Sequence, residues 1–169
     1  DLNHNSQVQN PQSRTLDGDA LLFLFAKHLV TSGPVIGTVM SNGSLGVAVN
    51  KSGREFVRAS VGDREVYETM VARDAGLGGE QSGHIIFRNS PGARRSALGS
   101  FSQRTGDGAA TALAFLKVFA EFYGESIARI SADLPRPFPQ KLVNVRVIEK
   151  IPWEHDPRMS RDVASAREK

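Results

Sequence analysis

Apolar positions along the chain fall into two rhythms that alternate. Leu21, Leu22, Leu24, Phe25, Leu29 and Val30 are apolar on most sides of a helix, the pattern of a buried one. Asp17 or Asp19 is placed to cap its start, and Gly33 and Pro34 to stop it. Val35 to Met40 is a short apolar run rich in β-branched residues, which predicts a central parallel strand. A Ser41-Asn42-Gly43 turn and a short helix to about Ser52 complete one βα unit. Glu55 to Val61 predicts a second strand. Between Arg64 and Arg73, Val66, Tyr67 and Met70 share a helical face, so a second βα unit follows the first.

Beyond Gly76 the glycine-rich stretch passes into His84-Ile85-Ile86-Phe87, read as two short strands around a turn at Gln81 to Gly83. Asp107 and Gly108 introduce a helix from Ala109 to Phe122, with Leu113, Leu116, Val118 and Ala120 as its apolar surface and Gly124 as its stop. A shorter helix covers Ser126 to Ala132. Pro135, Pro137 and Pro139 exclude helix, and Leu142 to Val147 alternates apolar and polar residues as an edge strand does. The expected organisation is a mobile leading segment over residues 1–16 and a domain over 17–132. A closing strand and hinge over 133–152 and the start of a further domain over 153–169 follow. The expected fold class is α/β: a three-layer domain with a mixed, mostly parallel sheet of about four strands between helices.

A length of 169 residues suits one such domain. No apolar run approaches the ~20 residues that span a bilayer, so membrane insertion is not expected. The absence of cysteine points to a reducing, cytoplasmic setting. The net charge of +3 is modest, and much of the arginine lies in one Gly-, Ser- and Pro-rich stretch holding Arg88, Arg94, Arg95 and Arg104. Phe101 is its one aromatic, whereas a single-strand binder interleaves several as stacking platforms, which argues against nucleic acid. The stretch reads as a solvated or phosphate-attracting loop.

The densest chemistry is Gly78-Gly79-Glu80-Gln81-Ser82-Gly83-His84. In an extended segment Glu80, Ser82 and His84 would point the same way, offering a carboxylate, a hydroxyl and an imidazole to adjacent sugar hydroxyls. The same residues also suit a glycine-rich hairpin whose polar groups satisfy their own backbone, and pattern alone leaves both open. Asp17-Gly18-Asp19 has the look of a metal loop, but the apolar helix that follows makes capping the better reading. Val61-Gly62-Asp63-Arg64 lies where a strand gives way to a helix, the place where open α/β sheets contact ligands. There Arg64 suits a phosphate or a sugar hydroxyl, or equally open solvent.

Thr38 to Asn42, Val61 to Arg64, Leu77 to Phe87, Thr105-Gly106-Asp107-Gly108 and Leu142 to Val147, taken in this order, resemble the third domain of the α-D-phosphohexomutases. The Glu80-Gln81-Ser82-Gly83-His84 form is similar to the phosphoglucosamine branch. The resemblance implies substrate contacts from Glu80, Ser82, His84, Asp63 and Arg64, with Glu80 and Ser82 on sugar hydroxyls. It places no catalytic residue in this segment, an assisting role for His84 aside, and no metal ligand. Mg²⁺ is implied for the full-length enzyme, bound outside this segment. The implied partners are a phosphosugar and the other domains of the same enzyme. The family's phosphoserine loop, metal loop and C-terminal phosphate clamp are missing from these 169 residues, so the chain alone is expected to be inactive. The alternative is a stand-alone phosphosugar- or anion-binding module without catalysis.

Overall fold

The computed structural model describes residues 15–91, 102–124, 126–141 and 155–167. The expected strand over Leu142 to Val147, the hinge over 148–152, Arg94, Arg95, Phe101 and residues 1–14 lie outside the described residues. Two compact units divide at Pro139.

The first unit opens with α1 (Gly18–His28), whose N-cap Asp17 accepts a hydrogen bond from the Ala20 N–H at 3.0 Å. Leu22, Leu24, Phe25 and Ala26 bury its core-facing side. The helix ends at His28, short of Gly33, and the carbonyls at and beyond its end meet a partner distant in sequence. Arg54 donates from Nη1 to the Ala26 and Val30 carbonyls at 2.7 and 2.6 Å, and from Nε to Gly33 at 2.8 Å. A cation against the negative end of a helix is favourable on both hydrogen-bonding and dipole grounds.

Next come β1 (Val35–Thr38), α2 (Gly43–Lys51), β2 (Phe56–Ala59), α3 (Asp63–Ala72) and the hairpin strands β3 (Leu77–Gly79) and β4 (Ile85–Phe87). They form one sheet in the order β2-β1-β3-β4. Val35 pairs with both Phe56 and Leu77 in parallel register, and Gly78 pairs with Ile86 antiparallel. The strands are shorter than the sequence pattern predicts: Val39 and Met40 already belong to the turn after β1, and Val61 to the turn after β2. Successive β1 residues face opposite layers. Val35 joins Leu22, Phe25, Leu45 and Val49 in one core cluster, while Ile36 joins Val66, Met70 and Ile86 in the other. Helices α1 and α2 thus cover one face and α3 the other, the three-layer α/β arrangement expected.

The longest helix, α4 (Gly108–Tyr123), begins at Asp107, whose carboxylate accepts from the Ala110 N–H, and stops at Gly124. Its buried side is the expected one only at Val118. Thr111, Ala114, Val118 and Tyr123 face the core, whereas Leu113 is 69% and Leu116 55% exposed and Ala120 is exposed too. Ala114, Val118 and Tyr123 pack into the core cluster with α1, and the leucines stand outward. A short α5 (Ile127–Asp133) follows with Ser126 as its cap. The proline stretch is held by Asn42, which exchanges two hydrogen bonds of 2.9 Å with the Phe138 backbone. The second unit contains α6 (Pro157–Arg167), started by Asp156, which accepts from the Arg158 N–H at 2.8 Å.

Candidate sugar site

A cleft of about 310 Å³ opens at the C-terminal ends of the parallel strands, lined by Thr38, Met40, Val61, Glu80, Gln81 and Ser82. Its position follows from topology. The loop leaving β1 leads to α2 on one face and the loop leaving β2 leads to α3 on the other, so the backbone parts there and leaves a crevice.

The β3–β4 hairpin brings Glu80 and Ser82 to this mouth, with His84 next to them but outside its lining. The Glu80 N–H donates to the His84 carbonyl at 3.0 Å and the Gly83 N–H donates to the Glu80 carbonyl at 3.0 Å, which closes a tight turn. The expected strand alternation of Glu80, Ser82 and His84 is therefore wrong in mechanism, since the turn folds the segment back. Convergence survives by another route: His84 Nδ1 lies 3.2 Å from Glu80 Oε2 and 3.2 Å from Ser82 Oγ. Glu80 is almost fully buried, with Oε1 accepting from the Gly62 N–H at 3.0 Å, while the His84 side chain is 61% exposed. The carboxylate is thus fixed from two sides and keeps lone pairs for hydroxyl donors in the cleft.

Asp63 and Arg64 open α3 beside this group, without lining the cleft. Asp63 Oδ2 accepts from Thr105 Oγ1 at 2.5 Å. That hydroxyl holds the Asp63 carboxyl below the usual carboxylate range, with the backbone N–H groups of Arg64 and Gly106 and the neighbouring His84 acting the same way. Arg64 pairs with Glu68 at 2.9 Å one helical turn on, and its side chain is 81% exposed, so it points to solvent here. Arg88 departs from the expected solvated loop: it pairs with Asp74 at 3.2 Å and is largely buried at the end of β4.

Asp17 and Asp19 divide their work differently from a joint cap on α1. Asp17 caps α1, but Asp19 is buried and reaches across to accept from the Asn42 N–H at 2.6 Å, at the start of α2. Burial pushes the Asp19 carboxyl up, against the lowering effect of that hydrogen bond. Both carboxylates thus face helix N-termini, whose positive ends disfavour a cation. Among the described residues no group of three or more His, Cys, Asp or Glu could hold a metal ion, and the residues present do not fit a Mg²⁺ site. No helix among them is long and apolar enough to cross a membrane.

Sequence reasoning did not single out Met40, Val61 or Gln81 as cleft residues. The signal lies in topology: each stands two residues beyond the end of a strand in this sheet, which becomes visible once the strand ends are known.

Residues 17–138 match the family model described as phosphoglucomutase/phosphomannomutase, alpha/beta/alpha domain III. Phosphoglucosamine mutases from Solidesulfovibrio magneticus and Koribacter versatilis are 39% identical over 164 residues and 40% identical over 158 residues. These alignments take in 94% and 90% of this chain but 33% and 31% of the relatives. The chain therefore spans about a third of the length of the curated relatives it matches. Among solved structures, an N-acetylglucosamine-phosphate mutase of the alpha-D-phosphohexomutase superfamily, in its product complex, aligns with a TM-score of 0.70 at 20% identity, over 94% of this chain and 38% of that one. An Aspergillus fumigatus N-acetylphosphoglucosamine mutase in complex with GlcNAc-6P and magnesium aligns with a TM-score of 0.63 at 19% identity, over 80% and 33%. At such identities the structural likeness speaks for the fold alone.

Proposed function

The chain belongs to the phosphoglucomutase/phosphomannomutase family through its alpha/beta/alpha domain III, and on that premise we propose that it is the sugar-recognition domain of a phosphoglucosamine mutase. The whole enzyme then interconverts glucosamine 6-phosphate and glucosamine 1-phosphate. A phosphoserine outside this segment donates its phosphoryl group to the sugar, the resulting bisphosphate reorients, and the serine takes back the other phosphoryl group. Mg²⁺, bound outside this segment, supplies charge neutralisation at the phosphoryl group. The reaction belongs to the bacterial cytoplasm and serves cell-wall precursor synthesis.

The observation that carries this reading is the convergence of Glu80, Ser82 and His84, the first two of which line the strand-end cleft while His84 stands beside it. Glu80 accepts hydrogen bonds from sugar hydroxyls, Ser82 accepts or donates, and His84 fixes the Glu80 carboxylate. Asp63 and Arg64, at the start of α3, stand next to this group and complete the sugar-facing surface. Such positioning matters because phosphoryl transfer depends on alignment and charge stabilisation, and small misplacements of a bound substrate slow it greatly. Support for the glucosamine branch comes from the curated relatives, which carry that name over an alignment covering nearly the whole chain.

This account expects the chain by itself to recognise sugar without turning it over. Incubated with glucosamine 6-phosphate, Mg²⁺ and a trace of glucosamine 1,6-bisphosphate, it should give no glucosamine 1-phosphate above a protein-free blank by phosphorus NMR. Sustained conversion by chain produced in a host lacking its own phosphoglucosamine mutase would contradict the assignment.

A further inference from the structure

Residues 102–107 do more than lead into α4. The Gln103 N–H donates to the Phe87 carbonyl at 2.9 Å, and Gln103 Nε2 donates to the Ile85 carbonyl at 2.6 Å, so the segment lies along the outer edge of β4. Two residues on, Thr105 Oγ1 donates to Asp63 Oδ2 at 2.5 Å. Gly106 then presses its bare backbone on His84: a Cβ there would sit 2.8 Å from His84 Cβ and 2.9 Å from its Cα. Real Cβ atoms do not approach so closely, so only glycine fits against the imidazole-bearing residue without moving it.

These contacts close a ring. Glu80 Oε1 is held by the N–H of Gly62, the residue before Asp63. Asp63 is held by Thr105, Gly106 packs on His84, and His84 Nδ1 returns to Glu80 Oε2 at 3.2 Å. A helix start needs only the Asp107 cap, which already serves the Ala110 N–H. Neither the Thr105 hydroxyl nor a glycine at 106 is required for it.

We propose that Thr105 and Gly106 are positioning residues for sugar recognition, closing a ring of contacts that sets Glu80 and His84 relative to the turn at Gly62 and Asp63. The proposal rests on the reading of the hairpin as the sugar-binding element. Neither residue touches the sugar. They act through Asp63 and His84, and without them the hairpin stays tied to the α3 turn by the Glu80–Gly62 hydrogen bond alone.

The test compares the chain with its Thr105→Val, Thr105→Ser and Gly106→Ala variants by NMR. It reads the titration midpoint of the Asp63 carboxyl, the Gly62 and His84 amide shifts, and the affinity for glucosamine 1,6-bisphosphate. Thr105→Val is expected to raise the Asp63 midpoint toward the ordinary carboxylate value and to shift the Gly62 and His84 amides. It should weaken the bisphosphate about tenfold, the factor that ~1.4 kcal/mol represents. Thr105→Ser, which keeps the donor, should restore both midpoint and affinity. Gly106→Ala should displace the His84 amide and weaken binding with the Asp63 midpoint less affected. A Thr105→Val variant with wild-type midpoint, amide shifts and affinity would overturn the proposal, as would a serine variant that fails to rescue. Loss of the fold in Thr105→Val counts against it too, because an exposed positioning residue is dispensable for folding. If the unaltered chain fails to bind the bisphosphate, the sugar reading falls by itself, and the Asp63 midpoint and the two amide shifts still decide whether the ring exists.

Discussion

Replacing Gly18 by alanine is expected to displace the β3–β4 hairpin and to cost about 3 kcal/mol of stability, the upper part of the range for overpacking a tight contact. A Cβ at Gly18 would stand 1.9 Å from the Glu80 carbonyl oxygen, 2.8 Å from the Gly83 nitrogen and 3.0 Å from the Gln81 carbonyl carbon. All three are backbone atoms, so no side chain can rotate away, and the first turn of α1 or the hairpin must move. The Gly18 N–H also donates to the Gln81 carbonyl at 2.9 Å, and that bond stretches with any retreat. Amide shifts at Glu80 to His84 and a lower denaturant midpoint with unchanged slope would report the displacement. Gly108→Ala is the matched control, because nothing lies within 4 Å of a Cβ there and it opens α4. A Gly18→Ala variant as stable as that control, with unmoved hairpin amides, would show that α1 does not buttress the site.

Phe25→Ala should destabilise the chain by about 3–5 kcal/mol, the usual cost of emptying a buried aromatic site. Phe25 is fully buried in α1, its ring 5.3 Å from that of Phe87 on β4 at 52°, a tilted pairing that ties helix to sheet. The gap opens in the larger core cluster, between α1 and the strand on which the hairpin ends. A fall in thermal midpoint on the order of 10 °C is expected. A loss below about 1 kcal/mol would mean that α1 re-packs freely against the sheet, contrary to a core that fixes the hairpin.

The elements with strong local signals were legible in the sequence. Leucines all round α1, the apolar run after Pro34, and Asp107 with Gly124 at the two ends of α4 each state their structure within a few residues. What stayed hidden depends on contacts between distant residues. Helix α4 has apolar residues on more than one side, so its pattern names no core face, and the side that carries Ala114 and Val118 is set by packing with α1. Arg54 reads as an ordinary surface arginine, yet from the loop between α2 and β2 it meets the carbonyls around the end of α1. At the site, the sequence pattern sets Glu80, Ser82 and His84 on one side of an extended segment, whereas the tight turn at 80–83 overrides the period of a strand and gathers them by folding back. Asp63 was visible as a residue where a strand gives way to a helix, while its attachment to Thr105 spans 42 positions and leaves no local trace.

The most direct test of sugar recognition at the strand-end cleft is an amide-shift titration of the chain with glucosamine 1,6-bisphosphate, run beside its Glu80→Ala variant. The account predicts saturable shifts at Gly62 to Arg64 and at Gly79 to His84, absent from Glu80→Ala while the amides of α4 keep their wild-type positions. Shifts that persist undiminished in Glu80→Ala, or a wild-type chain whose hairpin amides do not respond at millimolar ligand, would contradict it.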